Sequence, residues 1–197
     1  MKHQNSGIKL LQTVTLAAVG AILLQGAAGA ADATAFELFK KGDQYVGSEA
    51  KGRLVGIKSD KSIATLTPTI WYITYLDPNS SGKATEIKFE AGEKTDVKYK
   101  GNFLGMAKAP KELPKDKVKV DSDKALATAT QEPLLKNLTL KATQMTLEDW
   151  QGIPTWKVRI WAAKLQKPEE MTDVGDVFVS AEDGKVLRSD IKIKKVD

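Results

Sequence analysis

Ser80-Ser81-Gly82-Lys83 has the spacing of a Ser-x-x-Lys nucleophile and its base. In that chemistry the serine opens a buried helix, and Ser-Asp-Asn and Lys-Thr-Gly motifs complete the site. Here the serines follow Asp77-Pro78-Asn79, which is turn chemistry. Ser59-Asp60-Lys61 and Ser122-Asp123-Lys124 put lysine where the asparagine belongs, and no Lys-Thr-Gly occurs. The same stretch imitates a calcium loop, with Asp77, Asn79 and Ser81 at its first, third and fifth positions and Gly82 at its sixth. The twelfth position should be a bidentate glutamate, but it is Lys88, which repels a cation. A hairpin turn is predicted for both reasons. Glycoside hydrolysis needs two carboxylates at a fixed separation. The candidates Glu148, Asp149, Glu169, Glu170, Asp173 and Asp176 fall in or beside predicted loops, where solvated acids are the ordinary case. Asn137-Leu138-Thr139 matches a glycosylation acceptor, but Leu138 begins a predicted strand.

The single histidine is His3, and there is no cysteine. His3 lies in a segment with secretory character. Lys2 and Lys9 are its positive flank, Leu10 to Leu24 its uncharged apolar stretch, and Ala28-Gly29-Ala30 its small-residue cleavage site. Residues 1–30 therefore read as a signal peptide, and the product as periplasmic or secreted. The apolar stretch is shorter than the ~20 residues that span a bilayer, and no later run would span one. Cleavage would leave no imidazole and no thiol. Ser-His-Asp and Cys-His catalysis and the usual zinc ligands would go with them, so no cofactor, no metal and no catalytic residue is expected. It would also remove two of the 30 lysines and arginines and no acid, leaving 28 bases against 25 acids. That small excess is spread along the chain rather than gathered on one face, so nucleic acid is not an expected partner.

The tryptophans point to recognition instead. Trp71 and Trp156 sit within apolar alternation and are expected in the core. Trp161 alternates with Lys157 and Arg159 on the other side of its strand, an aromatic flanked by cations. Such a group is what a binding surface often presents. Trp150, in a predicted loop, is placed to join it.

Two segments of similar order must position these residues. The first, 31–97, opens with a short helix at Ala35-Phe36-Glu37-Leu38-Phe39 and continues into strands at 54–57, 62–66, 69–76, 83–89 and 95–99. The second, 121–197, opens on Asp121, a good N-cap. A helix bearing Ala125, Leu126 and Ala129 follows, broken by Pro133, and then strands at 138–147, 155–162, 176–180 and 185–187. Gly184 suits a turn at positive φ. Between them, residues 98–120 hold Pro110, Pro114, Gly101, Gly105 and seven lysines. Proline, glycine and like charge predict a solvated linker. The fold class expected is α+β, two small units, each a helix packed on an antiparallel sheet.

The second segment resembles the PepSY family over residues 120–193. The resemblance rests on the helix with Ala125 and Ala129, the strand Trp156-Lys157-Val158-Arg159-Ile160 and the hairpin from Val177 to Leu187. Ser180 stands where that family commonly has aspartate. Residues 35–100 follow the same order as a degenerate second copy, making a tandem repeat. The resemblance implies a helix on an antiparallel sheet. It also implies a binding or inhibitory role toward a peptidase or another bacterial envelope protein, with no catalytic residues to carry over. The expected function is an exported non-enzymatic module that holds a protein partner through Trp161, Lys157, Arg159 and Trp150. An envelope protein touching acidic polymer or lipid through the lysine linker is the second expectation, and a carboxylate hydrolase the third.

Overall fold

The computed structural model describes residues 33–100 and 110–196. The signal-like segment and residues 101–109 of the expected linker lie outside the described residues. Helix α1 spans Ala35–Gly42 and is followed by strands β1 (Leu54–Ser59), β2 (Ile70–Leu76), β3 (Ala84–Glu90) and β4 (Glu93–Lys100). Helix α2 spans Ser122–Thr130 and is followed by β5 (Leu140–Trp150), β6 (Ile153–Ala163), β7 (Met171–Ser180) and β8 (Val186–Ser189). All neighbouring strands are antiparallel, in the order β4-β3-β2-β1-β5-β6-β7-β8.

This order corrects the expected fold class. Among the described residues there are not two helix-on-sheet units but one eight-stranded sheet with two short α-helices. Each meander begins with a strand whose outer edge has unpaired N–H and C=O groups. The edges of β1 and β5 satisfy one another, as a buried backbone requires. Their ladder is short, Ile57 opposite Leu147 and Lys58 opposite Thr146. Side chains lengthen it. The Met145 N–H donates to Ser59 Oγ at 2.9 Å, and the Thr143 N–H to Ser62 Oγ at 2.8 Å. The Ser62 N–H donates back to the Thr143 carbonyl at 2.7 Å. The strand expected at 62–66 does not form; residues 63–67 are instead a run of bends. At Gly56 a Cβ would sit 3.0 Å from the Leu147 carbonyl oxygen, so the seam is also a place of close approach.

A single core lies between the sheet and the helices. Trp71 from β2 and Trp156 from β6 meet edge-on with centroids 6.5 Å apart, and both are buried. Their indole N–H groups donate to the carbonyls of Pro68 and Val120, so neither polar edge is stranded. Around them pack Leu38, Ile73, Tyr75, Phe89, Met145, Val158 and Val179. The helices are joined where they start. Thr34 and Glu37 form a capping box on α1. Asp121 Oδ1 accepts from the Ser122 N–H at 2.6 Å and from the Phe36 N–H at 3.1 Å. Ser122 Oγ accepts from the Ala35 N–H at 3.0 Å. Residues at the start of α2 thus serve the free amides of α1.

The described part of the expected linker is not a solvated tether. Lys98 and Lys100 belong to β4. Residues 110–120 form a strap across the helix side, pinned by Leu113, which is 2% exposed and donates its N–H to the Leu54 carbonyl at 2.7 Å. Glu112 pairs with Arg53 at 2.9 Å, and the N–H groups of Lys119 and Val120 both reach the Ala181 carbonyl. One buried leucine outweighs the like charge around it. The Asp77 turn forms as predicted. Asp77 accepts from the Asn79 N–H and the Thr85 hydroxyl, while Ser80 and Lys83 donate to the carbonyls of Ala84 and Pro78. At the far hairpin, Gly184 has φ +77°. Ser180 Oγ accepts the N–H groups of Glu182 and Asp183 there.

Candidate functional site

Strand alternation sends odd and even residues to opposite faces. Helices and strap cover one face of the sheet; among the described residues the other is left open. Register lines up a row across it, one residue per strand: Asp96, Lys88, Tyr72, Lys58, Thr146, Lys157, Phe178 and Arg188. Cations and rings alternate along most of this row. The Lys58 and Lys88 ammonium groups lie 4.8 and 5.8 Å from the Tyr72 centroid. Lys157 and Arg188 lie 5.9 and 5.8 Å from that of Phe178. Trp161, four residues along β6 from Lys157, repeats the arrangement, with Lys61 at 4.8 Å and Arg159 at 5.6 Å. Each such contact is worth ~0.5–2 kcal/mol.

The four residues expected to bind all lie on this side. β6 turns Trp156, Val158, Ile160 and Ala162 into the core and Lys157, Arg159 and Trp161 outward, because its alternation is strict. Trp161 stands opposite Ala142, whose small side chain leaves it room. Trp150 ends β5 rather than topping a loop, and its ring packs on Phe178 at 5.4 Å between centroids. The face therefore has three groups of rings: Tyr72 with Lys58 and Lys88, Trp150 with Phe178, and Trp161 with its two cations. Between them, at the seam, Lys58, Gln144, Thr146, Glu148, Lys157 and Arg159 line a shallow depression of about 180 Å³.

Charge on the face is paired across strands. Lys157 meets Asp176 at 3.6 Å, and Lys58 and Lys100 meet Glu86 at 3.8 and 2.9 Å. Arg188 instead meets Asp190, two residues further along the chain, at 2.8 Å. Arg159 donates to Asp173 from Nε at 3.0 Å and also from Nη2, and this carboxylate raises the guanidinium pKa further. The Asp60 carboxylate accepts from the Tyr72 hydroxyl at 3.1 Å; burial first, and then this bond, push the Tyr72 phenol up. Such a face is nearly neutral and carries both signs in a fixed pattern. It suits selection of a complementary surface more than bulk attraction of an anion.

The remaining candidate acids are dispersed. Lys111 and the Gly152 N–H lower the Asp149 pKa, and Lys164 and Lys167 lower that of Glu170. Asp173 and Asp176 are taken up by Arg159 and Lys157, although Asp176 Oδ1 is buried with no hydrogen-bond partner among the described residues. No group of three or more His, Cys, Asp or Glu that could hold a metal occurs among the described residues. Sequence reasoning missed Tyr72, Phe178, Lys58, Lys88 and Arg188 as parts of the face. Period-two alternation in β2 marks Tyr72 as facing away from Trp71 and Ile73, so one signal was present. The row itself depends on register between strands, which no single strand encodes. No family model, curated protein or solved structure matches the chain.

Proposed function

We propose that the protein, once exported, is a non-catalytic module that holds a protein partner, a peptidase or another envelope protein, against the open face of its sheet. One observation carries this reading. Among the described residues a face eight strands wide is left uncovered, and it carries two ring-and-cation groups, at Tyr72 and Phe178, in one register row and a third around Trp161. Tyrosine, tryptophan and arginine are the side chains that most often anchor protein interfaces. A broad face with a shallow depression fits a macromolecular surface better than a small ligand, which prefers an enclosing pocket. The resemblance to PepSY domains read in the sequence of residues 120–193 would imply the same kind of role. Binding to acidic polymer through lysines gains less support, because three of the seven, Lys98, Lys100 and Lys111, are already paired with Asp96, Glu86 and Asp149.

The test is capture from envelope and culture fluid by the tagged chain without residues 1–30. It is run beside Trp161→Ala, Lys157→Glu and the helix-side control Lys124→Glu. A partner held by the unaltered chain and the control should be lost by the face variants. If Trp161 is an anchor, its removal weakens affinity by ~2 kcal/mol or more, about thirtyfold. Equal retention by well-folded face variants would refute the reading, as would turnover of a substrate by the purified chain.

A further inference from the structure

On the helix side, away from the open face, lies a cleft of about 280 Å³ between α1, the start of β1 and the strap. Phe36, Phe39, Leu54, Leu113 and Val118 supply an apolar interior. Lys40 and Lys115 stand at its margin, one from α1 and one from the strap. Both are exposed, and neither is in an ion pair among the described residues. The nearby acids Asp43 and Glu112 are occupied by the Gly52 N–H and by Arg53. Asp116, next to Lys115 in sequence, does not line the cleft. An apolar slot with cations on two sides is complementary to a molecule that is apolar along its body and anionic at its head. The volume is at the small end of the ~300–1,000 Å³ of small-molecule sites. That suits one chain and leaves no room for a two-tailed lipid.

We propose that this cleft binds a single-chain carboxylate amphiphile, with the tail between the two phenylalanines and Leu113 and the carboxylate between Lys40 and Lys115. The site owes nothing to the open face and stands whether or not that face binds a protein.

The probe is decanoate, titrated below its micelle concentration into the isotopically labelled chain without residues 1–30. Decanol and decylamine are titrated in parallel, and backbone amide shifts are followed. Decanoate should move the amides of Phe36, Leu54, Leu113 and Val118. It should bind about fivefold or more tightly than decanol, the gain from two partly screened ion pairs, and that advantage should shrink as salt rises. Lys40→Glu with Lys115→Glu, both surface changes, should weaken decanoate about tenfold and turn the preference to decylamine. Val118→Trp should fill the cleft and abolish all three. Equal binding of decanoate and decanol, shifts mapping elsewhere, or no binding up to the solubility limit would overturn the proposal. The ligand comparison needs no variant, so it decides even where a substitution fails to fold.

Discussion

Asp121 is the sharpest place to test whether the two halves of the chain are one structure. Its Oδ1 accepts from the Ser122 N–H at 2.6 Å and from the Phe36 N–H at 3.1 Å, amides 86 positions apart in the chain. Asp121→Ala removes both bonds at once. Loss of a cap costs ~0.5–2 kcal/mol, and bonds to a charged acceptor lie at ~1.5–3. Asp121 is half-buried, so water replaces part of each bond, and about 1 kcal/mol per helix is the working figure. The total, ~2 kcal/mol, lowers Tm by about 4–8 °C for a chain of this size. Asp121→Asn keeps an acceptor oxygen and should cost about half as much. Urea unfolding gives the free energy, and amide hydrogen exchange gives its location. In Asp121→Ala the first-turn amides of α1 should exchange faster together with those of α2. Faster exchange confined to α2, or a loss under about 0.5 kcal/mol, would refute the idea that one carboxylate serves both helices.

Trp156→Ala leaves Trp71, Phe36 and the Val120 carbonyl without their partner. It should cost ~3–5 kcal/mol, and calorimetry should still show one transition, since two would deny a common core. A Cβ at Gly42 would lie 2.1 Å from the Tyr75 hydroxyl oxygen, so Gly42→Ala should cost ~1–3 kcal/mol. Tyr75→Phe loses the bond to the Phe39 carbonyl but also removes the clashing oxygen, so urea titration of the double variant should show less than the summed loss. Asp183 should titrate at about 2 in the folded chain, because Lys185 and then Ser180 stabilise its carboxylate relative to the ordinary 3.8. A group depressed in this way adds stability that is complete above its unfolded pKa and lost as pH falls toward the folded one. A carboxyl carbon titration by NMR checks the value, and Lys185→Ala should return it toward 3.8.

Most strands are legible in the chain itself. Thr69 to Leu76 and Thr155 to Ala162 announce β2 and β6 by β-branched and aromatic alternation, and β6 reveals which side Lys157, Arg159 and Trp161 take. Asp121 marks a helix start, though not that it caps two. What alternation cannot show is which strand lies beside which. Nothing in Leu54 to Ser59 names Leu140 to Trp150 as its neighbour, so the halves read as separate units. Leu113 looks like a stray apolar residue among lysines and prolines, yet it is buried and holds the strap in place. Tyr72 and Phe178 each read as one residue of a strand. They become parts of one row only when the seven registers are laid side by side.

The seam between β1 and β5 also bears on how the chain reaches its native state. Ile57 and Leu147 pair across 90 intervening steps of sequence, whereas every other neighbouring pair of strands is a local hairpin. Closing so long a loop costs entropy before contacts repay it, and folding slows as mean contact separation grows. The hairpins can form early and independently, but the two tryptophans find each other only when the seam shuts. We therefore predict that closure of β1 on β5 limits the rate, so that a sequence change at Gly56, Ser59 or Ser62 shows itself first in the kinetics of refolding.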